Sequence, residues 1–496
     1  MTETAVASTQ NQPVVNDRSR WIALYVLCVG MLMIVLDATI VNVALPSIQD
    51  DLGFSQSSLA WVVNAYLISF GGLLLLSGRL GDLLGRRSVF LVGLAVFTTA
   101  SLICGLSQSQ GMLITARFAQ GAGGALASAV ILGMVVTMFP EPREQAKAIG
   151  VYSFVASAGA SIGLLLGGVL TQAISWHWIF FVNIPIGIAT AVLAWRLVGK
   201  DRGIGLSGGA DVAGAVLVTS ALMLGVYTIV KAADYGWGDV HTLGFGALSV
   251  ALLGAFVARE ATAATPLMPL RIFRFRNVTG ANLVQILMVA GLFGMFFLGV
   301  LYLQDVLGYD AIETGVAFLP VSLTIGVLSL GFSARLNMRF GARATLLPGL
   351  VLIAAGLALF ARAPVDGTYV VDVLPVMLLL GVGAGLSFPS LMTLAMSGAT
   401  PSDSGLSSGL VNTSLQVGGA LGLAVLATLS STRTDTLLAD GEGRAEALTG
   451  GYHLAFIVAA GVVTLAVIAA ATVLQPSAEV EQEVEEANAQ ALTEAA

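Results

Sequence analysis

Charge is what this chain has least of. Asp, Glu, Lys and Arg make up 10% of its 496 residues against 56% hydrophobic, and the mean hydropathy is +0.90. No soluble globular domain has that balance, and no polar stretch between the apolar runs is long enough to fold as one. None of the three lysines, Lys147, Lys200 and Lys231, precedes Ser or Thr, so the phosphate-binding loop pattern is missing and this chain does not hydrolyse ATP. The three histidines, His177, His241 and His453, fall at expected outer loops or helix edges. No Ser/His/Asp or metal-ligand cluster lies at one depth, so no metal and no cofactor are expected, and a membrane-embedded enzyme is the weakest alternative. The two cysteines, Cys28 and Cys104, are separated by about 13 Å in depth at the helical rise. A disulfide needs Cα atoms within about 7 Å, so both are expected free. Nothing points to nucleic acid: the net charge of −7 comes largely from the tail "AEVEQEVEEANAQALTEAA", which reads as solvated helix or disorder.

What is present is a succession of apolar runs, so the expected class is an all-α polytopic membrane protein. Fourteen candidate spans are read at 21–44, 57–77, 88–107, 111–137, 148–172, 178–197, 211–231, 241–258, 278–303, 312–332, 344–361, 371–397, 406–429 and 452–474. The first has no small-residue cleavage site and is expected to stay as a spanning helix. With the N-terminus inside, seventeen Lys and Arg fall on inward segments and four on outward ones, leaving Arg117 alone within a span. Both termini are therefore expected in the cytoplasm.

Three stretches of the first half recur in the second. "RLGDLLGRR" (79–87) matches "RLNMRFGAR" (335–343), "RFAQGAGGAL" matches "MLLLGVGAGL", and Gly159/Gly163 match Gly418/Gly422, at offsets of 256, 260 and 259 residues. The expected organisation is a cytoplasmic tail (1–20), a six-helix bundle (21–198), a linker with two extra spans (199–277), a second six-helix bundle (278–474) and an acidic cytoplasmic tail (475–496). Parallel halves of this kind place a binding site at their interface near the bilayer midplane. Asp82 corresponds to Met338 and Arg117 to Met377, so charge inside or at the edge of the membrane is the business of the first half.

These motifs resemble those of the fourteen-helix drug:proton antiporters of the major facilitator superfamily, over nearly the whole spanning length. "GRLGDLLGRR" (78–87) resembles the signature loop between helices 2 and 3, "LDATIVNVALP" (36–46) the first-helix motif, and "RFAQGAGGA" (117–125) the fourth-helix motif. "GASIGLLLGG" (159–168) is similar to the fifth-helix antiporter motif, with Leu164 where that motif usually has proline. The resemblance implies a multidrug exporter of the bacterial cytoplasmic membrane, active as a monomer. It would exchange amphipathic organic compounds for protons as two bundles rock about a central cavity. Uptake symport of a small metabolite on the same fold is the alternative.

The residues argue alongside. A carboxylate in hydrocarbon costs about 2.5–3.5 kcal/mol, so Asp37 is expected to face protein or a wet cavity. Sixteen residues past Trp21, it lies about 24 Å across a core of about 30 Å. Arg117 lies about 10 Å from the outer face, within about one helical turn of the same level. One reading is a buried structural pair; the other is proton coupling, because burial disfavours the charged carboxylate while a nearby arginine favours it. In the signature loop, Gly78 and Gly85 permit a tight turn, and Asp82 can cap a helix or pair with Arg86, Arg87 or another base, forming a cytoplasmic latch for the outward-open state. Gly159, Gly163 and Gly167, with Gly168 beside them, form a small-residue face expected to slide against the other half. Without proline at 164 the contact should be straighter and tighter. Asn42, Asn64, Tyr66, Gln120, Gln285, Asn412 and Gln416 are candidates for the cavity lining, suited to bulky, mostly apolar solutes.

Overall fold

The computed structural model describes residues 17–475 except 140, 202, 204, 206–210, 265, 268–269 and 397–403. Both expected tails, apart from their innermost few residues, lie outside the described residues. The first half comprises α1 (Asp17–Leu52), α2 (Gln56–Leu84), α3 (Arg86–Gly105), α4 (Gln110–Met138), α5 (Pro142–Ala173), α6 (Trp178–Phe181) and α7 (Asn183–Leu197). The extra pair is α8 (Val212–Tyr235) and α9 (Val240–Thr262). The second half comprises α10 (Arg276–Leu301), α11 (Ala311–Ala317), α12 (Leu319–Val327), α13 (Ser333–Phe340), α14 (Ala342–Phe360), α15 (Leu374–Met396), α16 (Ser404–Ala439) and α17 (Arg444–Val473).

Among the described residues, twelve helical segments are long and apolar enough to cross a membrane, and a shorter apolar stretch occupies 311–327. The fifth expected span falls within α5 and the tenth on that shorter stretch, so every expected span meets a helix. The tenth is broken because π turns interrupt it at Leu328–Phe332, and π turns also lie at Tyr302–Val306 and Tyr369–Val373.

Helix starts follow from capping chemistry. Ser55 and Ser109 accept from the backbone N–H groups of Ser58 and Met112 (3.2 and 3.3 Å), and Asp310 forms a capping box with Glu313. Gly85 (φ +94°) and Gly341 (φ +87°) each end one helix and begin the next, a left-handed conformation that favours glycine.

The two halves repeat one packing device. A methyl group added at Gly93 would lie 2.5 Å from the Ala127 nitrogen and 2.8 Å from the Gly123 oxygen; at Gly349 it would lie 2.5 Å from Ser387 Oγ and 2.8 Å from the Gly383 oxygen. Thus α3 crosses α4 as α14 crosses α15, backbone against backbone. Gly163 and Gly167 of α5 likewise meet the α1 backbone, and Gly418 and Gly422 of α16 meet that of α10. The extra pair lies outside this repeat: α8 packs on α2 and α16, while α9 packs chiefly on α8. Val240, Leu243, Leu248 and Val250 of α9 are exposed, which suits a lipid-facing helix.

Candidate functional site

Inside the first bundle, α4 and α7 deliver polar groups to one carboxylate on α1, and α2 and α3 hold those groups from behind. Asp37 on α1 accepts at Oδ2 from Arg117 Nη1 of α4 (2.6 Å). At Oδ1 it accepts from Gln120 Nε2, one turn further along α4 (2.7 Å), and from Asn183 Nδ2, the first residue of α7 (2.8 Å). Arg117 also donates through Nε to the Val62 carbonyl of α2 (2.9 Å) and through Nη1 to Gln120 Oε1 (2.7 Å). Gln120 Nε2 donates in addition to Ser101 Oγ of α3 (2.7 Å), and the Cys104 thiol faces Gln120 Oε1 at 3.7 Å. The guanidinium lies 4.4 Å from the Tyr66 ring centroid and 5.7 Å from that of Phe180, where the ring faces attract a cation. Asp37, Arg117, Gln120, Asn183 and Ser101 are all 0% exposed.

The geometry is that of an ionised carboxylate: among the described residues, three N–H donors point at it and no acceptor does. Such a cluster survives in an apolar bundle because each charge is paired and the remaining lone pairs are satisfied. The closure is incomplete in one respect. Arg117 Nη2, Asn183 Oδ1 and the Tyr66 hydroxyl are buried without a hydrogen-bond partner among the described residues.

The bundles meet at the end that the charge pattern assigns to the outside. Gln172 Nε2 of α5 donates to Asp310 Oδ2 (3.0 Å), and Gln304 Nε2 donates to the Val43 carbonyl (3.0 Å). A methyl at Gly168 would lie 2.5 Å from the Ala311 oxygen, and one at Gly315 2.7 Å from the Leu164 oxygen. At mid-depth, a methyl at Gly71 of α2 would lie 2.6 Å from Gln416 Cβ of α16.

At the opposite end, the signature loop is tied to its own bundle. Asp82 pairs with Arg86 (3.2 Å), Arg86 Nη1 donates to the Gly133 carbonyl of α4 (3.0 Å), and Arg87 donates to the Trp195 carbonyl of α7. The cap on α3 comes from elsewhere: Asp201 accepts from the backbone N–H groups of Arg86 (2.6 Å) and Arg87 (3.2 Å). Gly78 has open space where a side chain would stand.

The sequence model of the Major Facilitator Superfamily matches residues 27–423. The chain belongs to the Major Facilitator Superfamily. It is a multi-pass membrane transporter and not an enzyme. It is 40% identical over 460 residues to the puromycin resistance protein pur8 of Streptomyces alboniger, covering 92% of this chain and 91% of that one. It is 39% identical over 418 residues to the cephamycin export protein CmcT of Amycolatopsis lactamdurans, covering 83% and 85%. Among solved structures, a bacterial homolog to the human lysosomal transporter Spinster, in an inward-facing and unoccupied conformation, superposes with a TM-score of 0.66 at 17% identity, covering 92% of this chain and 98% of that one.

Several expected placements change. The glycine face of α5 does not lie on the other half: a methyl at Gly159 would meet Leu32 and Val35, one at Gly163 Thr39 and Leu36, and one at Gly167 Ile40, all of α1. Gly168, offset by about 100° around the helix, is the one of the four that meets the second bundle. Tyr66 and Gln120 belong to the charged cluster: the Tyr66 ring lies against the Arg117 guanidinium, and the Gln120 amide bonds Asp37, Arg117 and Ser101 of α3. Asn42 turns its amide back to the Ala38 and Thr39 carbonyls of its own helix (3.4 and 3.3 Å). Asn64 is 0% exposed with neither amide atom bonded, Gln285 is buried, Gln416 is half-buried with Oε1 unpartnered, and Asn412 is exposed. Cys28 and Cys104 are free.

Asn183 escaped the sequence reading. It stands five residues from Trp178, about 8 Å from the outer end of its span, and the depth argument that paired Asp37 with Arg117 would have found it. Asp201 left no such signal, since its role depends on a loop returning to a helix start 115 residues earlier.

Proposed function

We propose that this transporter exports amphipathic organic compounds across the bacterial cytoplasmic membrane in exchange for protons. Asp37 is the carboxylate that is loaded and unloaded, and Arg117 is its counter-charge. The observation that carries the reading is an ionised carboxylate sealed among four helices of one bundle, where a proton enters only after the donors around it rearrange. Export is supported by relatives named for resistance to, or export of, puromycin and cephamycin, and by others named for tetracenomycin C and lincomycin.

In this reading the protein works as a monomer with both termini in the cytoplasm, and the bundles rock about the contact between α2 and α16. Asn64 and Gln416, whose amides keep unused hydrogen-bonding capacity, are the candidate substrate contacts. The loop of Gly78, Asp82, Gly85, Arg86 and Arg87 latches the cytoplasmic end in the outward-open state; in the conformation described here its bonds are spent within the first bundle and on Asp201.

The test is made in proteoliposomes loaded with a pH-sensitive dye. Ethidium added under an imposed pH gradient should drive proton movement in the wild-type protein. Asp37→Asn should abolish gradient-driven accumulation while leaving downhill exchange. Accumulation that survives in Asp37→Asn removes Asp37 from the coupling step.

A further inference from the structure

The Asp37 carboxylate is bound wholly by donors, which raises the question of what receives the hydrogen when it is protonated. Oδ2 faces the permanently charged Arg117, so the proton goes to Oδ1, where Gln120 and Asn183 donate. A carboxyl O–H aimed at two N–H groups has no acceptor, and a buried donor without one is costly.

Gln120 cannot supply the acceptor. Its Oε1 already receives Arg117 Nη1, and its Nε2 is shared with Ser101 Oγ. Turning that amide would set its N–H groups against the guanidinium. Asn183 differs, because its Nδ2 is bonded to Asp37 while its Oδ1 is buried and unpartnered. A half-turn of this amide exchanges the two atoms and offers the new O–H an acceptor with no change of backbone.

The other titratable groups around Asp37 do not compete for this role. Arg117 comes from α4, Tyr66 from α2 and Cys104 from α3, and the thiol faces Gln120. On α5, Tyr152 is directed to Met31 sulfur. Between 178 and 195, α6 and α7 carry no titratable side chain, nor does α10 between 277 and 301. On α11, Glu313 is exposed and bonded to the Asp310 N–H.

We propose that Asn183 is a positioning residue whose side-chain amide reads the protonation state of Asp37, donating through Nδ2 to the carboxylate and accepting through Oδ1 from the carboxyl. This rests on the reading of Asp37 as the coupling acid. The step balances simply: a proton from the aqueous side forms the Oδ1–H bond, the Asn183 N–H bond to that oxygen is replaced by an O–H bond to Asn183 Oδ1, and the cluster goes from neutral to a charge of +1. Turning the amide also releases α7 from a charge-assisted bond to α1, which ties proton entry to the packing of those two helices.

The experiment uses the reconstituted full chain and infrared difference spectra recorded across a pH step, with ethidium exchange measured in parallel. A carboxyl C=O band that appears on acidification and is absent from Asp37→Asn assigns the titration to Asp37; without it, the underlying reading fails. Given that band, protein labelled with carbon-13 asparagine should show an isotope-sensitive side-chain amide change with the same pH midpoint, lost in Asn183→Thr. In Asn183→Leu the carboxyl band should move to higher wavenumber and exchange should slow about tenfold or more. Its pH midpoint should stay within about half a unit of the wild type, because the turning amide serves both protonation states. A hydroxyl both donates and accepts, so Asn183→Thr should recover part of the rate. A carboxyl band with no accompanying asparagine change, or a midpoint displaced by about one unit or more in Asn183→Leu, makes Asn183 a fixed donor and overturns the proposal. The labelled wild-type measurement decides the matter even if Asn183→Leu fails to reconstitute.

Discussion

Asp201 caps α3 through the backbone N–H of Arg86, at 2.6 Å, from a position 115 residues further along the chain. Gly205 strengthens the attachment by donating to the Leu83 carbonyl (3.1 Å), and a methyl at Gly203 would lie 2.1 Å from that same oxygen. The segment entering the extra helix pair is therefore seated on the signature loop. Replacing a helix cap by alanine costs about 0.5–2 kcal/mol, whereas asparagine caps nearly as well as aspartate. Asp201→Ala should lower the melting temperature of the purified protein by a few degrees, and Asp201→Asn should not. Equal losses in both would mean that the charge, and not the cap, holds the loop.

Breaking the Asp37–Arg117 pair from one side leaves a buried charge, typically at about 3–5 kcal/mol. Arg117→Met should be strongly destabilising, and adding Asp37→Asn should restore much of the loss. A double-mutant cycle by thermal unfolding in detergent checks this; additive losses would show that the two side chains are not coupled.

The glycines of α5 separate into two kinds. Gly163→Ala places its methyl 2.0 Å from Thr39 Oγ1 and 2.9 Å from the Leu36 carbonyl, so it should cost about 1–3 kcal/mol of stability through overpacking of α1 on α5. Gly168→Ala presses instead on the other bundle and should act on the conformational equilibrium. A cysteine placed at the outer mouth should become more accessible to a membrane-impermeant thiol reagent in Gly168→Ala, and not in Gly163→Ala.

The contact between Gln172 and Asp310 is insensitive to pH in the working range. The Glu313 backbone N–H, and then the Gln172 amide, hold the Asp310 carboxyl below its ordinary value. A lowered value means that the stabilisation is fully present above the unfolded carboxylate value, about 3.9, and is lost only as pH falls through the still lower folded value. Outer-mouth accessibility measured between pH 5 and 8 should therefore not change on account of Asp310, and Asp310→Asn should leave any slope in that range unaltered. A slope that vanishes in Asp310→Asn would contradict this.

Hydropathy places the helices because a bilayer imposes one length on every span. Matched depth brings Asp37 to Arg117 for the same reason, since a 1.5 Å rise per residue converts sequence distance into height. Azimuth is what such reasoning lacks. Gly167 and Gly168 are at similar heights yet meet different helices, and Gln120 turns into the charged cluster where the cavity was expected. Asn183 sits at a legible height, but its importance lies in which way its amide points. Asp201 is further out of reach, because nothing in "GKDRG" announces the distant helix start it caps.

Asp37 and Arg117 ride in the same bundle. When Asp37 is ionised the pair is a dipole without net charge, and the membrane voltage exerts almost no force on it as the bundle tilts. With the proton aboard, the same unit carries one positive charge, on which a potential of 100 mV across the full membrane does about 2.3 kcal/mol of work. In a proton-coupled cycle, the voltage would therefore favour inward motion of the loaded form and leave the return of the empty form unhindered.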